Sequence, residues 1–168
     1  MTTRPLKIGV LGPHQCTDED LRVGAKVGEG IARNGGVLVC GGLGGMMQAA
    51  AEGAKRAGGQ TLGILPGEDA TDANPFIDTA LTTGLGPLRN ALVVRTCDAV
   101  IAIRGAYGTL SEIAFALRLG IPVVGLKTWS LIRDGNVDDG IHAVESAEEA
   151  VKLAFELARG ARANIESA

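Results

Sequence analysis

Apolar stretches alternate with amphipathic ones along the whole chain, and the alternation predicts strands alternating with helices. "LKIGVLG" (6–12), "VLVC" (37–40), "TLGIL" (61–65), "AVIAI" (99–103) and "PVVGL" (122–126) are short and almost wholly apolar. Such runs predict strands covered on both faces, as in parallel sheets, rather than the in/out alternation of a half-exposed antiparallel sheet. Helices are predicted from about 18 to 34, from about 45 to 57, over 87–97, directly after the strand at 99–103, and from 146 to about 159. "IDTALTT" (77–83) predicts a brief extended piece after a loop of roughly a dozen residues.

The punctuation agrees with these elements. Thr17-x-x-Asp20 and Ser146-x-x-Glu149 read as capping boxes at two helix starts. Pro87 stands in the first turn of a third helix, where a missing N–H costs little. Arg33-Asn34-Gly35-Gly36, Arg56-Ala57-Gly58-Gly59 and Arg118-Leu119-Gly120 each place a cation in a last turn and a glycine just beyond it. Leu21, Ala25, Gly28, Ile31 and Ala32 form the expected inner stripe of the first helix. Gly24 and Gly28 would let that helix sit close to a sheet. The predicted fold is α/β: residues 1–168 as a single domain, a Rossmann-like open parallel sheet with helices on both faces. In such sheets ligands bind beyond the carboxyl ends of the strands.

Composition narrows the function. A net charge of −3 and 3% aromatic residues argue against nucleic acid as a partner. Backbone binding needs a cationic face, and single strands need stacking platforms. Cys16, Cys40 and Cys97 are odd in number and widely spaced, which predicts neither disulfides nor a zinc site but buried thiols in a reducing compartment. His14 and His142 lack metal-ligand spacing, and no metal site is expected. The first residues, "MTTRPLKIGVLG", hold no signal-peptide apolar run, and no stretch approaches membrane-spanning length. The expected location is therefore the cytoplasm, without a membrane partner.

Two loops carry candidate chemistry. "GGLGGMMQ" (41–48) follows a strand, and its Gly41, Gly42, Gly44 and Gly45 would let backbone N–H groups approach an anion at a helix start. It matches neither G-x-G-x-x-G nor G-x-x-x-x-G-K-[ST], so neither a standard dinucleotide site nor a P-loop is predicted. "RGAYGTLSE" (104–112) follows another strand; Gly105, Ala106, Tyr107, Gly108 and Thr109 are the candidate second phosphate grip. Thr109-x-x-Glu112 also reads as a capping box, so Glu112 is either a structural or a reactive carboxylate. Arg89 with Asn90, at a helix start where an Arg opposes the helix dipole, is either a ligand contact or a surface residue. Asn74 and Asp78 lie in the long loop, Asp98 reads as a turn residue, and Asp138-Asp139 as a solvated loop. Tyr107 and Phe76 are the candidate aromatics for covering a flat ring.

On "GGLGGMM" and "GAYGTLSE" the chain resembles the Rossmann-like superfamily labelled lysine decarboxylase, which includes the LONELY GUY cytokinin-activating phosphoribohydrolases with their P-G-G-x-G-T-x-x-E motif. "ILPG", "TGLGPLRN" and "GTLSEIAFAL" resemble most closely the subgroup of the molybdenum cofactor carrier proteins. The resemblance spans Ile8 to Leu126 and implies a homo-oligomer, a dimer or a tetramer. It implies either a binding protein for a phosphate-bearing nucleotide or pterin, with the molybdenum cofactor as leading ligand, or a phosphoribohydrolase that cleaves a nucleoside 5′-monophosphate with Arg89 and Glu112 as catalytic residues. No required cofactor is expected; a bound molybdenum cofactor or nucleoside monophosphate is the candidate ligand. Arg104 stands where the motif has Pro, Ala106 where it has its second Gly, Ser111 where the hydrolases have Glu, and Asn90 where they have Lys. These departures weigh against the hydrolase, and no pyridoxal-phosphate motif supports a decarboxylase.

Overall fold

Residues 4–166 are described by a computed structural model. The strands are β1 (Lys7–Leu11), β2 (Val37–Cys40), β3 (Gln60–Leu65), β4 (Thr79–Thr82), β5 (Ala99–Ile103), β6 (Val123–Leu126), β7 (Ile132–Arg133), β8 (Asn136–Val137) and β9 (Ile141–Val144). The helices are α1 (Asp18–Arg33), α2 (Met46–Arg56), α3 (Asn90–Arg95), α4 (Tyr107–Leu119) and α5 (Ala147–Glu166). Seven strands form one parallel sheet in the order β4-β3-β2-β1-β5-β6-β9, and β7 with β8 makes a small separate hairpin.

Successive side chains of a strand point to opposite faces, and both faces are apolar here. Ile8, Val10, Leu38 and Ile101 pack under α1, α2 and α5. Leu11, Val39, Val100 and Ala102 pack under α3 and α4. Helices therefore cover both faces, as the unbroken apolar runs require.

The helix ends follow their signals. Thr17 caps α1 with the reciprocal Asp20 contact in place. At α5 the box is shifted: Ser146 accepts from the Glu149 N–H, while the Glu149 carboxylate accepts from Glu145 N–H, one residue upstream of the cap. Gly35, Gly58 and Gly120 take φ of 71°, 75° and 68°. That is the left-handed turn, which glycine adopts without a Cβ clash. Asp98 does more than turn the chain: its carboxylate accepts from Lys7 N–H (2.7 Å) and from Arg162 Nε (2.9 Å) and Nη2 (2.7 Å), tying the first strand to the last helix.

Four readings are corrected. β9 was not predicted, because Ile141 and Val144 are only half-buried at the sheet edge and "IHAV" shows no continuous apolar run. The helix expected over 87–97 is a 3-10 turn (Gly86–Arg89) followed by the short α3. α5 continues past 159, through an exposed Gly160. Finally, Gly24 and Gly28 face α2, not the sheet. A Cβ on Gly28 would lie 1.8 Å from Ala50 O, and one on Gly53 would lie 1.9 Å from Ala25 O, so the two helix backbones touch.

This contact makes opposite predictions for two helical glycines. At Gly160 a new methyl would meet nothing within 4 Å. Gly160→Ala should raise stability by about 0.5–1 kcal/mol through helix propensity. Gly28→Ala should lower it by about 2 kcal/mol or more, because overpacking outweighs the same propensity gain. Urea unfolding of both variants reads the two signs.

Candidate functional site

The chain runs outward from β1 through β2 and β3 to β4, then returns to place β5 against the other side of β1. β1 leads to α1 on one face and β5 to α4 on the other. The loops leaving these neighbours therefore diverge, and a crevice opens between them. A cleft of about 270 Å³ occupies this position. Gly12, Pro13 and His14 line it from the β1 loop, Gly41 from the β2 loop, Arg89 and Asn90 from the 3-10 turn and α3, and Ala106, Gly108, Thr109 and Glu112 from the start of α4.

α4 begins at Tyr107 with Ala106 as its N-cap and no capping side chain. The N–H groups of Tyr107, Gly108 and Thr109 belong to the first turn and have no partner inside the helix. That turn presents N–H donors and the positive end of the helix dipole to the cleft. Glu112 lies one turn deeper, at the sixth helical position. The capping-box reading of Thr109-x-x-Glu112 is therefore corrected: Thr109 is already helical, and Glu112 caps nothing.

Arg89 and Glu112 are buried together, each with 9% of its side chain exposed, and Arg89 Nη1 lies 3.8 Å from Glu112 Oε1. Arg89 also donates from Nη1 to Asn90 Oδ1 (2.9 Å) and from Nη2 to Gly41 O (3.3 Å). Its Nε is buried and has no hydrogen-bond partner among the described residues. Burial drives the Glu112 carboxyl up to about 7, with Arg89 pulling the other way, and burial lowers Arg89 from its usual value against the pull of Glu112. Beneath them burial raises the Cys40 thiol to about 11, so it stays protonated. Asn90 Nδ2 donates to Ser111 Oγ (3.1 Å), and Ser111 Oγ donates to Gly108 O (2.7 Å).

Other candidates fall outside this cleft. A Cβ on Gly42 would meet Leu65 at 2.8 Å, one on Gly44 would meet the His14 ring at 2.9 Å, and one on Gly45 would meet His14 O at 2.1 Å. Those glycines seat the β1 loop and β3, and only Gly41 of the four faces the cleft. Gly105, at φ 125°, makes room for the Thr109 side chain. The Tyr107 ring is 81% exposed and stands 5.8 Å from Trp129, while Phe76 packs against the core. Buried Asn74 holds the glycine loop by donating to Leu43 O (2.8 Å) and Gly42 O (3.3 Å). Asp78 pairs with Lys55, and Asp138 with Arg133. Among the described residues no cluster of three or more His, Cys, Asp or Glu could hold a metal, and no helix is long and apolar enough to cross a membrane.

Gly12-Pro13-His14 was missed by the sequence reading. A Gly-Pro pair after the first strand marks a turn, but its place at the site depends on β1 lying beside β5.

A parallel α/β sheet with an uncapped helix start and a buried Arg at its switch point defines a Rossmann-like α/β domain. Residues 5–151 match the model of the SLOG cluster4 family, and the chain belongs to that family. It is 43% identical over 146 residues to an uncharacterised protein of Archaeoglobus fulgidus, covering 87% of this chain and 92% of that one. The molybdenum cofactor binding protein of Rippkaea orientalis superposes with a TM-score of 0.83 at 35% identity, over 93% of this chain and 99% of that one. The molybdenum cofactor carrier protein of Chlamydomonas reinhardtii superposes with a TM-score of 0.81 at 30% identity, over 92% and 98%.

The buried carboxyl has a testable consequence. An acid whose folded pKa lies above its unfolded one holds more protons when folded, so stability falls as pH rises between the two. For Glu112 that interval runs from 4.5 to about 7. Glu112→Gln removes that loss. Relative to the parent, the variant should gain up to about 3 kcal/mol between pH 4.5 and pH 8. Urea midpoints at the two pH values measure it.

Proposed function

We propose that the switch-point cleft binds a phosphate-bearing pterin or nucleotide, and that the ligand is the molybdenum cofactor, held as cargo and not converted. The observation that carries this reading is the buried Arg89 Nε–H, without a partner among the described residues, in the cleft that the uncapped first turn of α4 also lines. A buried donor left unpaired costs roughly 1–3 kcal/mol, which an entering phosphate oxygen would recover. The proteins from Rippkaea and Chlamydomonas, named for this cofactor, support the choice of ligand. The α4 backbone N–H groups and the Arg89 Nε–H are the donors this reading assigns to the ligand's phosphate.

The phosphoribohydrolase reading keeps Arg89 and Glu112 but is not favoured. Asn90 and Ser111, the positions where the hydrolases resembled have Lys and Glu, touch each other at 3.1 Å. Two opposite charges are thus replaced as a unit by one neutral hydrogen bond, and the cleft loses two ionic groups that the hydrolases keep. A cytoplasmic homo-oligomer that takes a small molecule and not nucleic acid completes the proposal. Leu85, Leu88 and Leu92 with Phe115 and Leu119, all more than a third exposed on the α3–α4 side, support self-association.

Mass spectrometry of the protein as purified should find a pterin phosphate with molybdenum. Gly108→Val, whose side chain enters open space, should shift the melting point little yet lower ligand occupancy at least tenfold. Incubation with AMP should release no adenine. Release that vanishes in Glu112→Ala would establish the hydrolase instead.

A further inference from the structure

Arg89 and Glu112 make an incomplete pair. Their 3.8 Å separation gives the Glu112 carboxylate a counter-charge without a hydrogen bond from Arg89, while the buried Arg89 Nε–H has no partner among the described residues. The gap is wider than any hydrogen bond spans. Burying an ion without full hydrogen bonding is costly, and neutralisation by a proton is the ordinary relief. A phosphate dianion entering the cleft sharpens the conflict. It draws Arg89 toward itself and sets like charge next to Glu112.

We infer that the cleft takes up its phosphomonoester together with one proton, which Glu112 accepts from solvent as Arg89 turns its free donor to the ligand. The inference rests on the cleft being a phosphate site. The balance is simple: ligand dianion, proton and the ionised protein give a complex in which Glu112 is a neutral acid, and its O–H can donate to a ligand oxygen. Release returns the proton. Ionised Glu112 thereby acts as a competing internal anion, and rising pH favours unloading.

The other titratable groups facing Glu112 are few. Arg89 approaches from the 3-10 turn. The Cys40 thiol from β2 and Cys97, beyond α3, are both held protonated by burial. His14, on the β1 loop, also lines the cleft. Ser111, on α4 itself, does not titrate.

The probe is ribose 5-phosphate, which has no N-glycosidic bond to break. Titration calorimetry at pH 8, in two buffers of different ionisation enthalpy, should show close to one proton taken up per ligand bound. Between pH 7.5 and 8.5, where the phosphate is already doubly ionised, Kd should rise about tenfold per pH unit. In Glu112→Gln uptake should vanish and Kd should be flat with pH and lower than the parent's at pH 8.5. Binding without proton uptake in the parent protein, or uptake that persists in Glu112→Gln, overturns the inference and leaves the phosphate site standing. Absence of binding at every pH overturns the site as well.

Discussion

From Ile8 to Leu11 the backbone of β1 pairs in parallel with Ala99 to Ala102 of β5, although more than half of the chain separates the two strands. Parallel neighbours point their carboxyl ends the same way, and these two send their helices to opposite faces. The divergence leaves backbone N–H groups of α4 without chain to cover them, at the one edge where the sheet cannot close over itself. The cleft, the uncapped helix start and the approach of the β1 loop all follow from that pairing. Asp98 reinforces it at the other edge, where its carboxylate joins the start of β1 to Arg162.

The glycines around the cleft serve packing as much as ligand approach. Gly45 exists because His14 O occupies the place a Cβ would take, and Gly42 because Leu65 does. The glycine-rich loop thus locks the β1 loop in position and offers Gly41 alone to the cleft. Asn74, from the long loop beyond β3, fixes the same carbonyls from the other side. A loop that looks like an anion cradle in one dimension is here largely a spacer that aims a different loop.

Charge balance supports the proposed carrier reading over the hydrolytic one. Glu112 is retained but is buried with a raised pKa, and its neighbours Asn90 and Ser111 are neutral and bonded to each other. At neutral pH such a carboxyl is divided between acid and anion. That suits a group that yields to an incoming anion better than one that must stay ionised to stabilise an oxocarbenium ion.

Local signals settled a great deal. The unbroken apolar runs determined that strands such as β5 would be buried on both faces. Thr17, Gly35, Gly58 and Gly120 determined where helices start and stop, because caps and left-handed turns depend on residues a few positions apart. The loop 104–112 was also legible, since a strand followed at once by small residues and a helix is a local event. Strand order was not, and with it went the β1 loop, the edge strand β9 and the contact of Gly28 with α2. The meaning of Glu112 lay there too. Its capping-box spacing is a sequence fact, but α4 begins nearly a turn earlier than that spacing implies, and this made it the buried partner of Arg89 instead of a cap. Burial and the distance between groups far apart in the chain are properties of the packed molecule, and only the tertiary structure could decide them.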